Sequence, residues 1–168
     1  MTGESTAEPL LGLLSVKVLR GYNLAVRDLF SSDPYVLLSM ASQRVKTKVI
    51  KKNLNPEWNE DLTLIVLDPS INIKLEVFDK DTFTPDDPMG KAEIDIQPLV
   101  EVGRTELGTL LNNDIISRVS PNSTNCLVDE SKIYVYNGKV VQDMILRLRD
   151  VECGEVELRL EWVKARRD

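Results

Sequence analysis

The chain has 168 residues, enough for one domain with a sizeable core and too few for two ordinary ones. Its net charge of −6 argues against nucleic acid as a partner, and 42% hydrophobic with 29% charged residues describes a globular chain with no apolar run near the roughly 18 residues of a spanning helix. Histidine is absent, which removes the commonest general base and every Ser/His or Cys/His arrangement, so an enzyme is not expected.

Met1 to Gly12 carries no basic n-region, and Thr2 replaces the glycine that N-myristoylation needs, so neither a leader nor a lipid anchor is expected there. Apolar and polar residues then alternate along most of the chain, the pattern of half-buried strands. Leu14, Val16 and Val18 open the series, followed by Val36, Leu38 and Met40, and by Val45, Thr47 and Val49. Leu62, Leu64 and Val66 form a fourth strand, Ile73, Leu75 and Val77 a fifth, and Ala92, Ile94 and Ile96 a sixth. Met144, Leu146 and Leu148, then Val156, Leu158, Leu160 and Trp162, make eight. Eight short strands with one apolar face each predict an all-β fold, an antiparallel β-sandwich.

One connection is too long for a simple loop. Gln97 to Gln142 is read as an insertion between strands six and seven, within a single domain spanning residues 1–168. Inside it Ile133 to Tyr136, Asn137-Gly138 and Lys139 to Val141 predict a hairpin on a type I′ turn, and Glu106 to Ile116 one or two helical turns. Cys126 and Cys153 lack metal-ligand spacing and are read as free thiols.

Two connections concentrate acid. Arg27 to Tyr35 holds Asp28 and Asp33, and Phe78 to Gly90 holds Asp79, Asp81, Asp86 and Asp87. If the strands alternate in direction, both connections lie at one end of the sandwich and their carboxylates converge, which like charges tolerate only around a cation. Ca²⁺ fits best, because it accepts six to eight oxygens in flexible geometry, whereas zinc and copper prefer the imidazole and thiolate ligands missing here. The bland reading is that Asp-Pro and Pro-Asp-Asp simply form turns.

Asp33-Pro34-Tyr35-Val36, Asn53-Leu54-Asn55-Pro56-Glu57-Trp58-Asn59-Glu60 and Val77-Phe78-Asp79-Lys80-Asp81, standing in that order, resemble the C2 domain family. The resemblance implies an eight-stranded sandwich. It implies Asp28, Asp33, Asp79, Asp81 and Asp87 as side-chain ligands of Ca²⁺, the backbone oxygens of Arg27 and Lys80 in the same shell, and Asp86 as a further carboxylate. A small C2 domain interrupted after its sixth strand is similar to the plant C2-domain abscisic-acid-related proteins. That likeness implies Ca²⁺-dependent recruitment of abscisic acid receptors to the plasma membrane, and residence in the cytoplasm and, peripherally, at that membrane, with the nucleus as a further location. Related plant C2 modules are fused to Arf GTPase-activating domains, for which this chain is too short. The alternative reading is an adaptor or a regulator of small GTPases in membrane traffic that uses lipid only for location.

Two further groups point to anionic phospholipid. Leu29, Phe30 and Phe83 flank the acidic residues and can enter the headgroup region. Arg44, Lys46 and Lys48 share one strand parity, with Lys51 and Lys52 beyond, a basic strip suited to phosphoinositide headgroups or, more plainly, a solvated strand face.

Overall fold

The computed structural model describes residues 9–166, so the expectation about a leader and a lipid anchor falls largely outside it. Among the described residues, ten antiparallel strands and one helix follow in order: β1 (Gly12–Tyr22), β2 (Pro34–Met40), β3 (Gln43–Lys46), β4 (Glu57–Val66), β5 (Ile73–Asp79), β6 (Asp87–Ile94), α1 (Gln97–Gly103), β7 (Ile115–Val119), β8 (Ser131–Tyr136), β9 (Lys139–Arg147) and β10 (Glu155–Lys164). They form a six-stranded sheet in the order β4-β1-β10-β9-β8-β7 and a four-stranded sheet in the order β3-β2-β5-β6.

The alternating residues fill the space between the sheets. Leu14, Val16 and Val18 of β1, Val36 and Leu38 of β2, Leu75 and Val77 of β5, and Leu158 and Leu160 of β10 are all fully buried. At ~25 cal/mol per Å² of apolar surface, these interdigitated faces supply most of the driving force for closing the sandwich.

The fold is the expected sandwich, but with ten strands rather than eight. The additional pair, β7 and β8, lies between residues 97 and 142. Asn137 and Gly138 take φ of 49° and 73°, the left-handed values a type I′ turn requires, and join β8 to β9. The second arm of this hairpin and the expected seventh strand are one strand, β9, which runs unbroken from Lys139 to Arg147. The long segment therefore extends the six-stranded sheet by two strands at one edge.

The helix also differs from expectation. Glu106 to Asp114 contains turns with mostly exposed side chains and so has no apolar stripe to bury. The helical turns lie earlier, where Pro98 suits a helix start and Leu99, Val100 and Val102 reach the core. Gly103 ends this helix against the indole of Trp162, so closely that an added Cβ would overlap the ring. The third strand is shorter than its alternation suggests. It stops at Lys46 because the Thr47 hydroxyl, 2.9 Å away, takes the Val36 N–H that a continuing ladder would use.

Candidate metal centre and membrane-facing loops

Because the strands alternate in direction, the β1–β2, β3–β4, β5–β6 and β9–β10 connections all emerge at one end. Strand register then sets the carboxylates side by side. Pro34 pairs with Asp79, and Asp79 with Asp87, so Asp79 and Asp87 meet at the rim on adjacent strands, with Asp33 just before β2 beside them.

Two triads result, Asp28–Asp33–Asp79 and Asp79–Asp81–Asp87, each with carboxylate oxygens within 4.8 Å of one another. Asp79 belongs to both. It is the last residue of β5 and has no exposed surface. Its Oδ1 accepts the Asp33 N–H at 2.7 Å, whereas its Oδ2 is buried without a partner among the described residues. Burial, with Asp28, Asp81 and Asp33 adding repulsion, pushes its pKa up to about 6. The Asp81 carboxyl is raised as well, by desolvation and by the neighbouring Asp87. An unpaired buried oxygen among five carboxylates is costly to an ion-free fold and suited to a hard cation.

Backbone contacts brace the cluster. Lys52 N–H donates to Asp33 Oδ1 at 2.8 Å, and Lys80 N–H to the Asp33 carbonyl at 3.0 Å. Asp86 is not brought into either triad. It accepts the Tyr35 hydroxyl and the Asp81 N–H, the latter at 3.0 Å, and its pKa is lowered chiefly by the tyrosine. The Tyr35 hydroxyl is correspondingly raised to about 12, first by its own burial and then by Asp86. Asp86 thus holds the β5–β6 connection in shape.

Leu29, Phe30 and Phe83 stand around the triads at 90%, 88% and 97% exposure, so none of them serves loop packing. Arg44, Lys46, Lys48, Lys51 and Lys52 are all exposed. Lys46 Nζ lies 5.8 Å from the centre of the Tyr35 ring, between the basic strip and the acidic rim. The outward parity of Arg44 and Lys46 continues to Lys48 beyond the strand, because Glu60 accepts the Lys48 N–H at 2.8 Å.

Sequence reasoning passed over Ser32, which is fully buried. Its hydroxyl accepts the Arg27 N–H at 2.8 Å and donates to the Ala25 carbonyl at 2.7 Å, fixing the base of the β1–β2 loop. It also missed Glu152, which reaches this end from the β9–β10 connection. A Ser beside an Asp-Pro step hinted at the first; nothing local marks the second.

Residues 12–110 match the model of the C2 domain family. Similar proteins include one from Oryza sativa subsp. indica named GTPase activating protein 1, 58% identical over 92% of this chain and 93% of the relative. Another, from Arabidopsis thaliana, is named Protein C2-DOMAIN ABA-RELATED 5 and is 55% identical over 95% of this chain and 80% of the relative. Among solved structures, the calcium-bound pair of C2 domains of Extended-Synaptotagmin 2 aligns over 94% of this chain and 48% of its own, at 26% identity and TM-score 0.63. A C2 domain of plant Extended Synaptotagmin 1 aligns over 95% of this chain and 99% of its own, at TM-score 0.64 and 23% identity, which speaks to the fold alone.

Proposed function

Since this chain belongs to the C2 domain family, we propose that it docks on anionic phospholipid membranes in a Ca²⁺-dependent manner. The observation that carries this reading is the pair of carboxylate triads sharing the buried Asp79, whose Oδ2 lacks a partner, within a ring of exposed Leu29, Phe30 and Phe83.

Asp28, Asp33, Asp79, Asp81 and Asp87 would hold the ion, with the carbonyl oxygens of Arg27 and Lys80. When bound, Ca²⁺ supplies positive charge and open coordination positions that lipid phosphate or carboxylate oxygens complete. The protein's own residues do the rest. The five aspartates keep this end away from an anionic surface while their charge is uncompensated. Leu29, Phe30 and Phe83 enter the headgroup region, and Arg44, Lys46, Lys48, Lys51 and Lys52 meet lipid phosphates at about 1 kcal/mol each.

Recruitment of abscisic acid receptors to the plasma membrane is the partner reading we attach to this docking, supported by the names of the Arabidopsis relatives. A role beside small GTPases draws its support from the name of the rice relative. In both, the chain acts as one domain, and residues 97–142 offer the surface that β7 and β8 add at the edge of the six-stranded sheet. Calorimetry with Ca²⁺, then sedimentation with phosphatidylserine-containing vesicles, tests the central claim. Binding in Ca²⁺ and loss of it in EGTA is the expected result, and equal sedimentation in both would overturn it.

A further inference from the structure

We propose that Arg27 is a positioning residue whose side chain ties the β1–β2 and β9–β10 loops to the start of β6 and so preorganises the carboxylate cluster. The inference rests on the Ca²⁺-binding reading above and extends it to the β9–β10 loop.

The contacts reach in three directions. Arg27 Nη2 meets Glu152 Oε1 at 2.7 Å on the β9–β10 loop. Its Nε donates to the Pro88 carbonyl at 3.1 Å, one residue past Asp87, and Nη1 to the Val26 carbonyl at 3.1 Å on its own loop. The Arg27 side chain is only 24% exposed, unlike that of Glu152 at 62%, so it is seated while its acidic partner remains wet. One planar fork with fixed donor directions is suited to such bridging, and an ammonium is not.

The β9–β10 loop is a firm anchor. Lys91 and Arg149 exchange both backbone hydrogen bonds, at 3.0 and 2.7 Å, attaching the loop to β6. Val151 packs onto Gly90 so closely that a Cβ there would lie 2.6 Å from Val151 Cγ1, and Gly90 takes φ of +110°. Arg27 thus leans the loop that carries Asp28 on a fixed support and pins it beside the residue following Asp87. The spacing between one triad and the other then depends on a residue whose side chain ligates nothing.

Charge and position oppose each other here, which makes the inference testable. A guanidinium close to Asp87 repels a cation, so its removal by electrostatics alone strengthens Ca²⁺ binding. Loss of positioning weakens it, by about tenfold for a residue that orients ligands. Arg27→Met keeps the side-chain length and the backbone carbonyl while removing both charge and fork. Calorimetry should show the affinity falling about tenfold, with Arg27→Lys falling as well although its charge remains.

A readout without metal separates positioning from direct ligation. In EGTA, amide hydrogen exchange of Arg27→Met should accelerate in residues 26–33 and also in residues 149–154, although only the first loop is altered. Affinity that rises or stays unchanged, or exchange at 149–154 that does not move, would overturn the inference. Wild-type protein that gives no Ca²⁺ heat would remove the reading beneath it, and this inference with it.

Discussion

Replacing Asp79 with Asn should make the metal-free protein more stable and abolish its response to Ca²⁺. Asp79 has no exposed surface, and its pKa is pushed from an ordinary 3.8 to about 6, first by burial. A raised carboxylate stabilises the folded state below its unfolded pKa and loses that contribution as pH rises through about 6. At neutral pH the ionised group is therefore a penalty of about 3 kcal/mol at 1.36 kcal/mol per unit. Asp79→Asn keeps an Oδ1 acceptor for the Asp33 N–H and places a donor where Oδ2 now lacks a partner, facing carboxylates. In EGTA at pH 7.5 the variant should melt higher by about 6–12 °C, taking 2–4 °C per kcal/mol for a chain of this size. Near pH 4.5 the gap should have narrowed to about 1 kcal/mol, because folded Asp79 is then protonated while the unfolded carboxyl still ionises, and it should close below pH 3.8. Excess Ca²⁺ should raise the wild-type Tm, by about 2.7 kcal/mol of stability at a hundredfold excess over Kd, and leave the variant unmoved. A variant that melts below wild type in EGTA at pH 7.5, or that keeps its Ca²⁺ shift, would refute the assignment of Asp79 as the shared buried ligand.

Protons should compete with Ca²⁺ through the same residue, so affinity measured by calorimetry should fall as pH drops from 7.5 to 5.5; a flat profile would contradict a ligand titrating near 6. Phe30→Ala with Phe83→Ala should leave Tm unchanged, because both rings are solvent-exposed, yet weaken vesicle binding by about tenfold or more, given roughly 1.5–3 kcal/mol for each side chain fully buried. Lys46→Ala with Lys48→Ala should reduce sedimentation with phosphoinositide vesicles more than with phosphatidylserine vesicles, and added salt should narrow the gap; an equal loss on both would indicate charge attraction alone.

The strands that were legible are those with strict alternation. Leu14 to Val18 and Val156 to Trp162 each have one face against the opposite sheet, and each appears where the pattern puts it. Asn137-Gly138 announced its turn because few residue pairs tolerate two left-handed positions in succession. β7 gave no such signal: Ile115 and Ile116 are adjacent, and its residues are exposed or half-buried as an edge strand's are, so no period of two develops. α1 spans seven residues, too short for a helical period to register, and its packing on β9 and β10 is a tertiary fact. β3 was overextended because alternation records which way side chains point and not whether the backbone is paired. Thr47 keeps the inward direction while its hydroxyl replaces a ladder bond.

The acidic cluster was legible as a convergence of two loops, but the separation of Asp86 from Asp87 was not. The two are identical in type and adjacent, and their roles are divided by register. Between Glu76 and Phe78 the β5–β6 pairing shifts, and beyond that irregularity Asp79 faces Asp87. Asp87 is the first residue of β6 and faces Asp79 in the ladder, whereas Asp86 is the last of the connection before it and there accepts the hydroxyl of Tyr35, 51 residues earlier in the chain. One residue of slip would exchange them. Beyond the shift Phe78 pairs with Pro88, and the next residue of β6, Met89, is fully buried inside the sandwich. The site's composition can thus be read from two loops, whereas its division of labour is set by the register of β6 against β5.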